Sequence, residues 1–362
     1  MTNNIDAQEQ EVHPMENKKA LIAMSGGVDS SVAAHLTQQM GLGCIGGTML
    51  LCPDASDAED ARAVANRLGM EFHIFDMRPQ FRRDVMDQFV RCYETGLTPN
   101  PCVECNRRLK FGALLDAALA LGCDYVVTGH YCRIEQDATT GRYELLKAAD
   151  SAKDQSYFLY SLNQHQLEHT LFPLGNLTKE QARFIAQEQG FLNARKRDSQ
   201  DICFIPDGDY LEFIRRHTGK DYPGGDFLDV DGKIVGQHHG AIGYTRGQRK
   251  GLGLAMGQPV YVLDKNMAQN TVTVGSNEAL FSRELIAKDW NFFPFDTLTA
   301  PLRCYAKARS RMAEQPATVY PLEDGRAKVV FDAPQRALTT GQAVVLYDGD
   351  KVIGGGTITQ IL

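Results

Sequence analysis

Between residues 18 and 76 the chain alternates short apolar runs with amphipathic stretches. Residues 20–24 read as a strand, and Val32, Ala33, Leu36 and Met40 share one face of a helix. A strand near 44–50, a helix through 58–68 and a strand at 71–75 complete the pattern. Repeated strand–helix–strand order predicts a parallel sheet covered by helices on both faces, an α/β fold. A longer helix is expected after Pro79, then a helix carrying Leu114, Leu115, Ala118 and Leu121, and then a strand at 125–128.

The pattern changes twice further on. After a small hairpin, 132–135 against 143–146, residues 171–222 read as a compact helical linker, with Thr178-Lys179-Glu180 opening a helix at 181–189 and Gly190 closing it. From Pro223 onward the chain shows Gly-rich turns and short alternating strands such as 259–263, 270–275 and 327–331. Asp-Gly pairs stand at 231–232, 324–325 and 348–349. These predict one or two small β-barrels. The expected division is a loose tail over 1–18, an α/β domain over 19–170, a linker domain over 171–222 and a β domain over 223–362.

Composition narrows the class. A chain of 362 residues has room for more than one core, and a hydrophobic share of 43% with 23% charged residues is that of a globular protein. The first eighteen residues are polar and lack the apolar centre of a signal peptide, and no later run is long enough to span a membrane, so a cytoplasmic protein is expected. Nine cysteines in such a chain imply reduced thiols; Cys44, Cys52, Cys92, Cys123, Cys132 and Cys304 read as core. The formal charge of −7 confines any nucleic-acid contact to local patches, of which Arg195, Lys196 and Arg197 form one and Arg303, Lys307, Arg309 and Arg311 another.

Ser25-Gly26-Gly27-Val28-Asp29-Ser30-Ser31 lies between the first strand and the first helix. A small-residue loop at a helix N-terminus presents backbone N–H groups to a phosphate, and its glycines allow close approach. No lysine follows in the Walker pattern. The Ser-Gly-Gly-x-Asp-Ser string resembles the pyrophosphatase loop (PP-loop) of enzymes that split ATP into AMP and pyrophosphate while adenylating an oxygen. By that resemblance Asp29 helps hold the Mg2+ on pyrophosphate and Met49 lies near the adenine.

Asn100-Pro101-Cys102-Val103-Glu104-Cys105-Asn106 runs into a helix through Lys110 and Phe111. Thiols beside a helix N-terminus are expected to have lowered pKa values. Cys203, in Asp198-Ser199-Gln200-Asp201-Ile202-Cys203-Phe204, follows the Arg195–Arg197 stretch, which also favours thiolate. Half a zinc site or a generic redox pair are the alternatives for the Cys102/Cys105 pair.

Taken with Thr128-Gly129-His130-Tyr131, Lys153-Asp154-Gln155-Ser156 and Gly243-Tyr244-Thr245-x-Gly247-Gln248-Arg249-Lys250-Gly251-Leu252-Gly253, these blocks resemble the tRNA-specific 2-thiouridylases from about Lys19 to the C-terminus. The resemblance implies a Rossmann-like PP-loop ATP pyrophosphatase domain, a linker domain and a C-terminal β-barrel domain, and ATP-dependent 2-thiolation of the wobble uridine of tRNA through an adenylated uridine and a cysteine persulfide. Cys105 would be the nucleophile and Cys203 the persulfide carrier. Ala23, Met24, Ser25, Gly26, Gly27, Val28, Asp29, Ser30, Met49 and Gly129 would contact ATP. Asn100, Pro101, Cys102, His130, Lys153, Asp154, Gln155, Arg309, Ser310 and Gln342 would lie at the tRNA. The implied partners are tRNA and a persulfide sulfur-donor protein, with no DNA and no membrane.

One departure stands out. Many members of that family carry aspartate where this chain has Cys102. Cys102, Cys105 and Cys203 form the minimum ligand set for a [4Fe-4S] cluster with one open iron, and the alternative is Cys102 as a spare or resolving thiol. Two rival functions also remain open at this stage. One is a loop-sharing ligase of a small metabolite, indifferent to RNA and to the thiols; the other is a non-catalytic tRNA-binding or sulfur-carrier protein, indifferent to ATP.

Overall fold

The computed structural model describes residues 17–52, 56–191, 193 and 202–362. Arg195, Lys196 and Arg197, and the 1–18 tail apart from Asn17 and Lys18, lie outside the described residues.

The N-terminal unit is built on strands β1 (Lys19–Ala23), β2 (Gly43–Leu50), β3 (Glu71–Asp76) and β4 (Tyr125–Val127). A hairpin of β5 (Cys132–Gln136) and β6 (Tyr143–Lys147) follows, and then β7 (Thr170–Leu171). The sheet has the order β3-β2-β1-β4-β7, and every pair is parallel. Strand order therefore reverses between β1 and β4, and the loops leaving those two strands open a crevice at the carboxyl edge, where such sheets bind ligands.

Helix Val28–Gln39 packs Val32 and Ala33 onto one face of this sheet beside Ala61, Val64 and Ala65 of helix Ser56–Arg67. Leu174, Ala182, Ala186 and Phe191 are buried in the same cluster. The first half of the segment expected as a separate helical linker thus completes the core of the parallel sheet, because the apolar face of helix Lys179–Glu188 lies against the first helix. The opposite face buries Phe81, Leu109, Leu114 and Leu115. Burying one such side chain contributes about 1.5–3 kcal/mol.

Strands β8 (Gly225–Leu228), β9 (Ile234–His238), β10 (Tyr261–Asn266) and β11 (Thr271–Gly275) form a small sheet of order β10-β11-β8-β9 around Phe227, Val262, Val272 and Val274. Strands β12 (Phe281–Phe292), β13 (Leu302–Lys307), β14 (Gln315–Pro321), β15 (Ala327–Arg336), β16 (Ala343–Asp348) and β17 (Lys351–Ile361) follow the order β12-β15-β14-β13-β16-β17. Because β17 returns to pair with β12, this sheet closes into a barrel.

The barrel is joined to the first unit by hydrogen bonds and by packing. Strand β6 pairs with β17 through Leu146↔Lys351 and Leu145↔Val352. Val103, Phe111, Tyr157, Val345 and Tyr347 share one buried cluster. Val103 and Phe111 belong to the helical stretch that carries Cys102 and Cys105, so barrel packing bears directly on that stretch.

Candidate active site

The loop after β1 has the geometry of an anion cradle. Gly26 turns at φ 68°, in the left-handed region, and Gly27 is extended at φ −93° and ψ 164° as the helix cap. The hydroxyls of Ser30 and Ser31 donate to the Gly27 carbonyl at 3.1 and 3.0 Å, and Ser30 Oγ accepts from Ser25 N–H at 3.2 Å. These bonds hold the turn open at the helix N-terminus, where backbone N–H groups and the helix dipole favour an anion. Met24 and Val28 are buried beneath it, and Ala23 and Met49 are half-buried on the adjoining core.

The loop after β4 closes the other side of the crevice. A Cβ on Gly129 would come within 2.7 Å of the Asp29 carbonyl carbon and 2.8 Å of Ser30 N, so only glycine lets the two loops approach this closely. Asp29 is engaged by side chains from outside its own loop: Lys179 Nζ lies 2.8 and 2.7 Å from its two oxygens, and Tyr131 Oη donates to Oδ1 at 2.8 Å. Lys179 is 7% exposed. Tyr131 ends one of the resemblance blocks, but the sequence did not signal Lys179, which reads as an ordinary first-turn residue 150 positions away.

Beside the crevice lies the thiol centre. Pro101, Cys102, Val103 and Glu104 open a helix with Asn100 at the N-cap position, and residues Cys105–Ala113 continue it in π form. In an α-helix, positions five apart lie about 140° apart around the axis, whereas a π turn brings Lys110 back over Cys105. Gln166 supports the widened turns by donating from Nε2 to the carbonyls of Phe111 at 2.6 Å and Arg107 at 3.2 Å. The Lys110 ammonium is the group whose charge favours the thiolate of Cys102, Cys105 and Cys203 alike.

Cys203 reaches this centre from a turn in which Ile205 N–H bonds Ile202 O at 2.8 Å. Its neighbour Phe204 is wedged among Phe81, Phe89 and Phe213, with ring centroids 5.0–5.5 Å apart. Cys52, expected as a core residue, is also there: its charge acts on Cys203, and it packs with Cys105 and Phe204 on one cluster. All nine cysteines are free thiols.

The expected depression of the thiol pKa values is not found. Burial pushes Cys102 and Cys105 above the ordinary value, and burial together with Cys105, Cys52 and Cys102 pushes Cys203 up to about 12. Lys110 opposes this without overcoming it, because removal of water from a thiolate outweighs one nearby ammonium. Near neutral pH the three are therefore thiols. Among the described residues Cys102, Cys105 and Cys203 do not converge tightly enough to chelate a single ion. The geometry adds no observation in favour of a [4Fe-4S] cluster.

His130 connects the two centres. It is buried, and its pKa is held well below the usual value by burial and by Lys110. Lys110 Nζ lies 3.4 Å from Nε2 and Thr128 Oγ1 2.6 Å from Nδ1. Because an ammonium only donates, Nε2 accepts and Nδ1 carries the proton of a neutral imidazole.

The remaining residues assigned to tRNA divide by exposure. Cys102 is exposed as a residue although protein atoms crowd its thiol, whereas Asn100, Lys153 and Ser310 are partly exposed and Pro101 is buried. Asp154 accepts from Ala148 N–H, Ser156 N–H and Ser156 Oγ, and Gln155 exchanges bonds of 2.9 Å in both directions with the Tyr131 backbone. Arg309 donates to Ala337 O, Thr339 Oγ1 and Arg246 O at 2.7, 2.6 and 3.1 Å. Gln342 donates to the carbonyls of Thr98 and Pro99 at 2.9 and 3.0 Å. Each of these four makes hydrogen bonds within the protein, and Arg309 Nε is a buried donor without a partner. A basic hollow that the sequence did not suggest lies next to Phe204, lined by Arg82, Phe213, Arg216 and His217.

A parallel sheet with a PP-loop at its switch point, followed by two small β units, defines a PP-loop ATP pyrophosphatase-type enzyme with appended β domains. Three family models match in chain order: the tRNA methyl transferase HUP domain over residues 18–207, the tRNA methyl transferase PRC-barrel domain over 211–276 and the aminomethyltransferase beta-barrel domain over 282–358. The tRNA-specific 2-thiouridylase of Clostridioides difficile is 49% identical over 96% of this chain and 99% of its own, and that of Acetivibrio thermocellus is 47% identical over 95% and 100%. Among solved structures, a 4-thiouridine synthetase–RNA complex with bound ATP matches 56% of this chain and 50% of its own at 17% identity and a TM-score of 0.34. The chain belongs to the tRNA-specific 2-thiouridylase family.

Proposed function

We propose that the protein replaces the C2 oxygen of the wobble uridine of tRNA by sulfur, consuming ATP. The observation that carries this reading is the pair Gly129 and His130. One packs against the anion loop at Asp29 and Ser30; the next reaches Lys110 over the thiols. Two adjacent residues thus join a nucleotide-type crevice to a sulfur-type centre, and a base held between them faces both.

The loop Ser25–Ser30 receives the phosphates of ATP, whose Mg2+ would be held at Asp29. The uridine C2 oxygen is a poor leaving group, and transfer of AMP to it makes a good one. The terminal sulfur of a Cys203 persulfide then attacks C2, and AMP departs with the former carbonyl oxygen. Cys105 attacks the remaining Cys203 sulfur, breaking the S–S bond, so that thiouridine is released and a Cys105–Cys203 disulfide forms. An external dithiol must return that disulfide to two thiols before a sulfur-donor protein reloads Cys203. Lys110 is placed to favour the thiolate form at each sulfur. Extruding an anticodon-loop base costs little, because it lies in a single-stranded loop. Arg82 and Arg216, in the hollow beside Phe204, offer positive charge to hold the adjoining backbone.

The test is thiolation of unmodified tRNA by anaerobically purified protein supplied with ATP, Mg2+ and a persulfide donor. Wild type is compared with Cys102→Ser, Cys105→Ser and Cys203→Ser, and iron content is recorded for each. Activity without iron that is lost with Cys105 or Cys203 supports the relay. Activity that tracks iron and needs all three cysteines replaces it with the cluster chemistry.

A further inference from the structure

Just before β7, the five-residue helix Gln164–Glu168 and its C-cap present His165, Glu168 and His169. One ring nitrogen of each histidine and one carboxylate oxygen of Glu168 all lie within 4.8 Å of one another. The residues stand at i, i+3 and i+4, which share one helix face. His165 and Glu168 are exposed and His169 half-exposed, with the two rings 4.7 Å apart between centroids.

A second observation orients the set. His169 Nδ1 lies 2.8 Å from the Asp124 carbonyl, an acceptor, so Nδ1 carries the proton and Nε2 keeps its lone pair. That is the arrangement in which a metal-binding histidine is fixed by a carbonyl behind it. The backbone is fixed as well: Val126 N–H bonds His169 O at 2.8 Å, tying this position to the edge of the sheet.

We propose that His165, Glu168 and His169 form a binding site for a divalent transition cation of the zinc class. Two imidazoles and one carboxylate suit a borderline cation, whereas calcium and magnesium favour oxygen donors alone. Donors bound to one such ion at about 2.1 Å lie about 3–4 Å apart, so small rotations of these surface side chains close the set and leave a position for water.

The site has a structural consequence. The inward side of the same helix carries Gln166, whose amide caps the Arg107 and Phe111 carbonyls of the π stretch that brings Lys110 over Cys105. Asn163 and Gln166 already close a reciprocal cap at the helix N-terminus. An ion on the outer face ties the other end of this short brace to the sheet.

Cysteine thiolates are zinc ligands in general, so the experiment blocks them. The full-length chain carrying Cys102→Ser, Cys105→Ser and Cys203→Ser is stripped with a chelator and titrated calorimetrically with zinc chloride, alone and with His165→Ala/His169→Ala added. One ion per chain is expected, with affinity weakened at least about tenfold by the histidine substitutions. Cobalt added to the wild-type chain with its thiols alkylated gives a second readout that does not depend on the serine substitutions. A d–d spectrum without sulfur-to-metal charge transfer is expected, and it should vanish in Glu168→Gln/His169→Ala. Absence of binding in the thiol-blocked chains, or binding that the histidine substitutions leave unaltered, overturns the proposal.

Discussion

Lys179 Nζ lies 2.7 Å from Asp29 Oδ2, so a lysine from a distant helix stands at the aspartate of the phosphate loop. The loop lacks a Walker lysine of its own, and this ammonium pairs with the Asp29 carboxylate beside it. Lys179→Met should lower the tRNA thiolation rate by about 10²-fold, the scale of losing one donor to a developing anion. Stability should fall by about 1–3 kcal/mol, because Asp29 is only partly exposed and loses a cation. Steady-state rates and urea unfolding check both; a folded variant with unchanged rate would remove Lys179 from the nucleotide site.

Gly129→Ala offers a test confined to the crevice. The added methyl meets Asp29 and Ser30 backbone at 2.7 and 2.8 Å, and backbone cannot rotate away as a side chain can. ATP binding should weaken by at least about tenfold, equivalent to about 1.4 kcal/mol, while alkylation of Cys105 proceeds at its normal rate. Equilibrium titration with a nonhydrolysable ATP analogue measures the first and mass spectrometry the second. Unaltered ATP affinity would place the nucleotide elsewhere.

Much of the fold is legible in the sequence because hydrophobic period and turn residues are local. Ala20–Ala23, Val32 and Ala33 announce the parallel sheet, and the Asp-Gly pairs announce the β units. The role of helix Lys179–Glu188 is not legible, since an amphipathic helix does not state which core its apolar face completes. The same holds within the site. Ser25–Ser30 and the cysteines stand out as strings, whereas Lys179, Tyr131 and Gln166 act through contacts with residues 55–150 positions away. Gln342 and Arg309 carried a signal through their resemblance to tRNA contacts, whereas their bonds to Thr98, Pro99, Ala337, Thr339 and Arg246 were not legible.

Gln342 and the turn at Gly341 give a prediction that separates those roles. Gly341 sits at φ 88°, and a Cβ there would come within 2.9 Å of both Thr98 N and O. With Gln342 bonding Thr98 and Pro99, the barrel grips the segment just ahead of Asn100 and Cys102. Gln342→Ala should reduce kcat by about 5–10-fold, in line with about 1–1.5 kcal/mol for lost hydrogen bonds, while the Kd for tRNA stays within twofold or so. A large rise in Kd with kcat intact would show that Gln342 meets the tRNA instead.

The thiols should show their burial in a pH profile. A thiol reacts as thiolate, and Cys105 is raised above its ordinary value of 9.0 by burial. Its carboxamidomethylation rate in the free enzyme should therefore climb tenfold per pH unit through pH 8 and keep rising past about pH 9, with no plateau below that value. Lys110→Ala removes the one charge that favours thiolate and should lower the rate at every pH on that slope. A plateau below about pH 7.5 would mean an activated resting thiolate.

The most direct test of the account follows the oxygen that sulfur replaces. Transfer RNA labelled with oxygen-18 at uridine C2 is converted in a single turnover with ATP and Mg2+, and the AMP is analysed by mass spectrometry. Adenylation before sulfur transfer predicts one oxygen-18 in AMP for each 2-thiouridine formed. Thiouridine accompanied by unlabelled AMP, or formed without AMP at all, would contradict it.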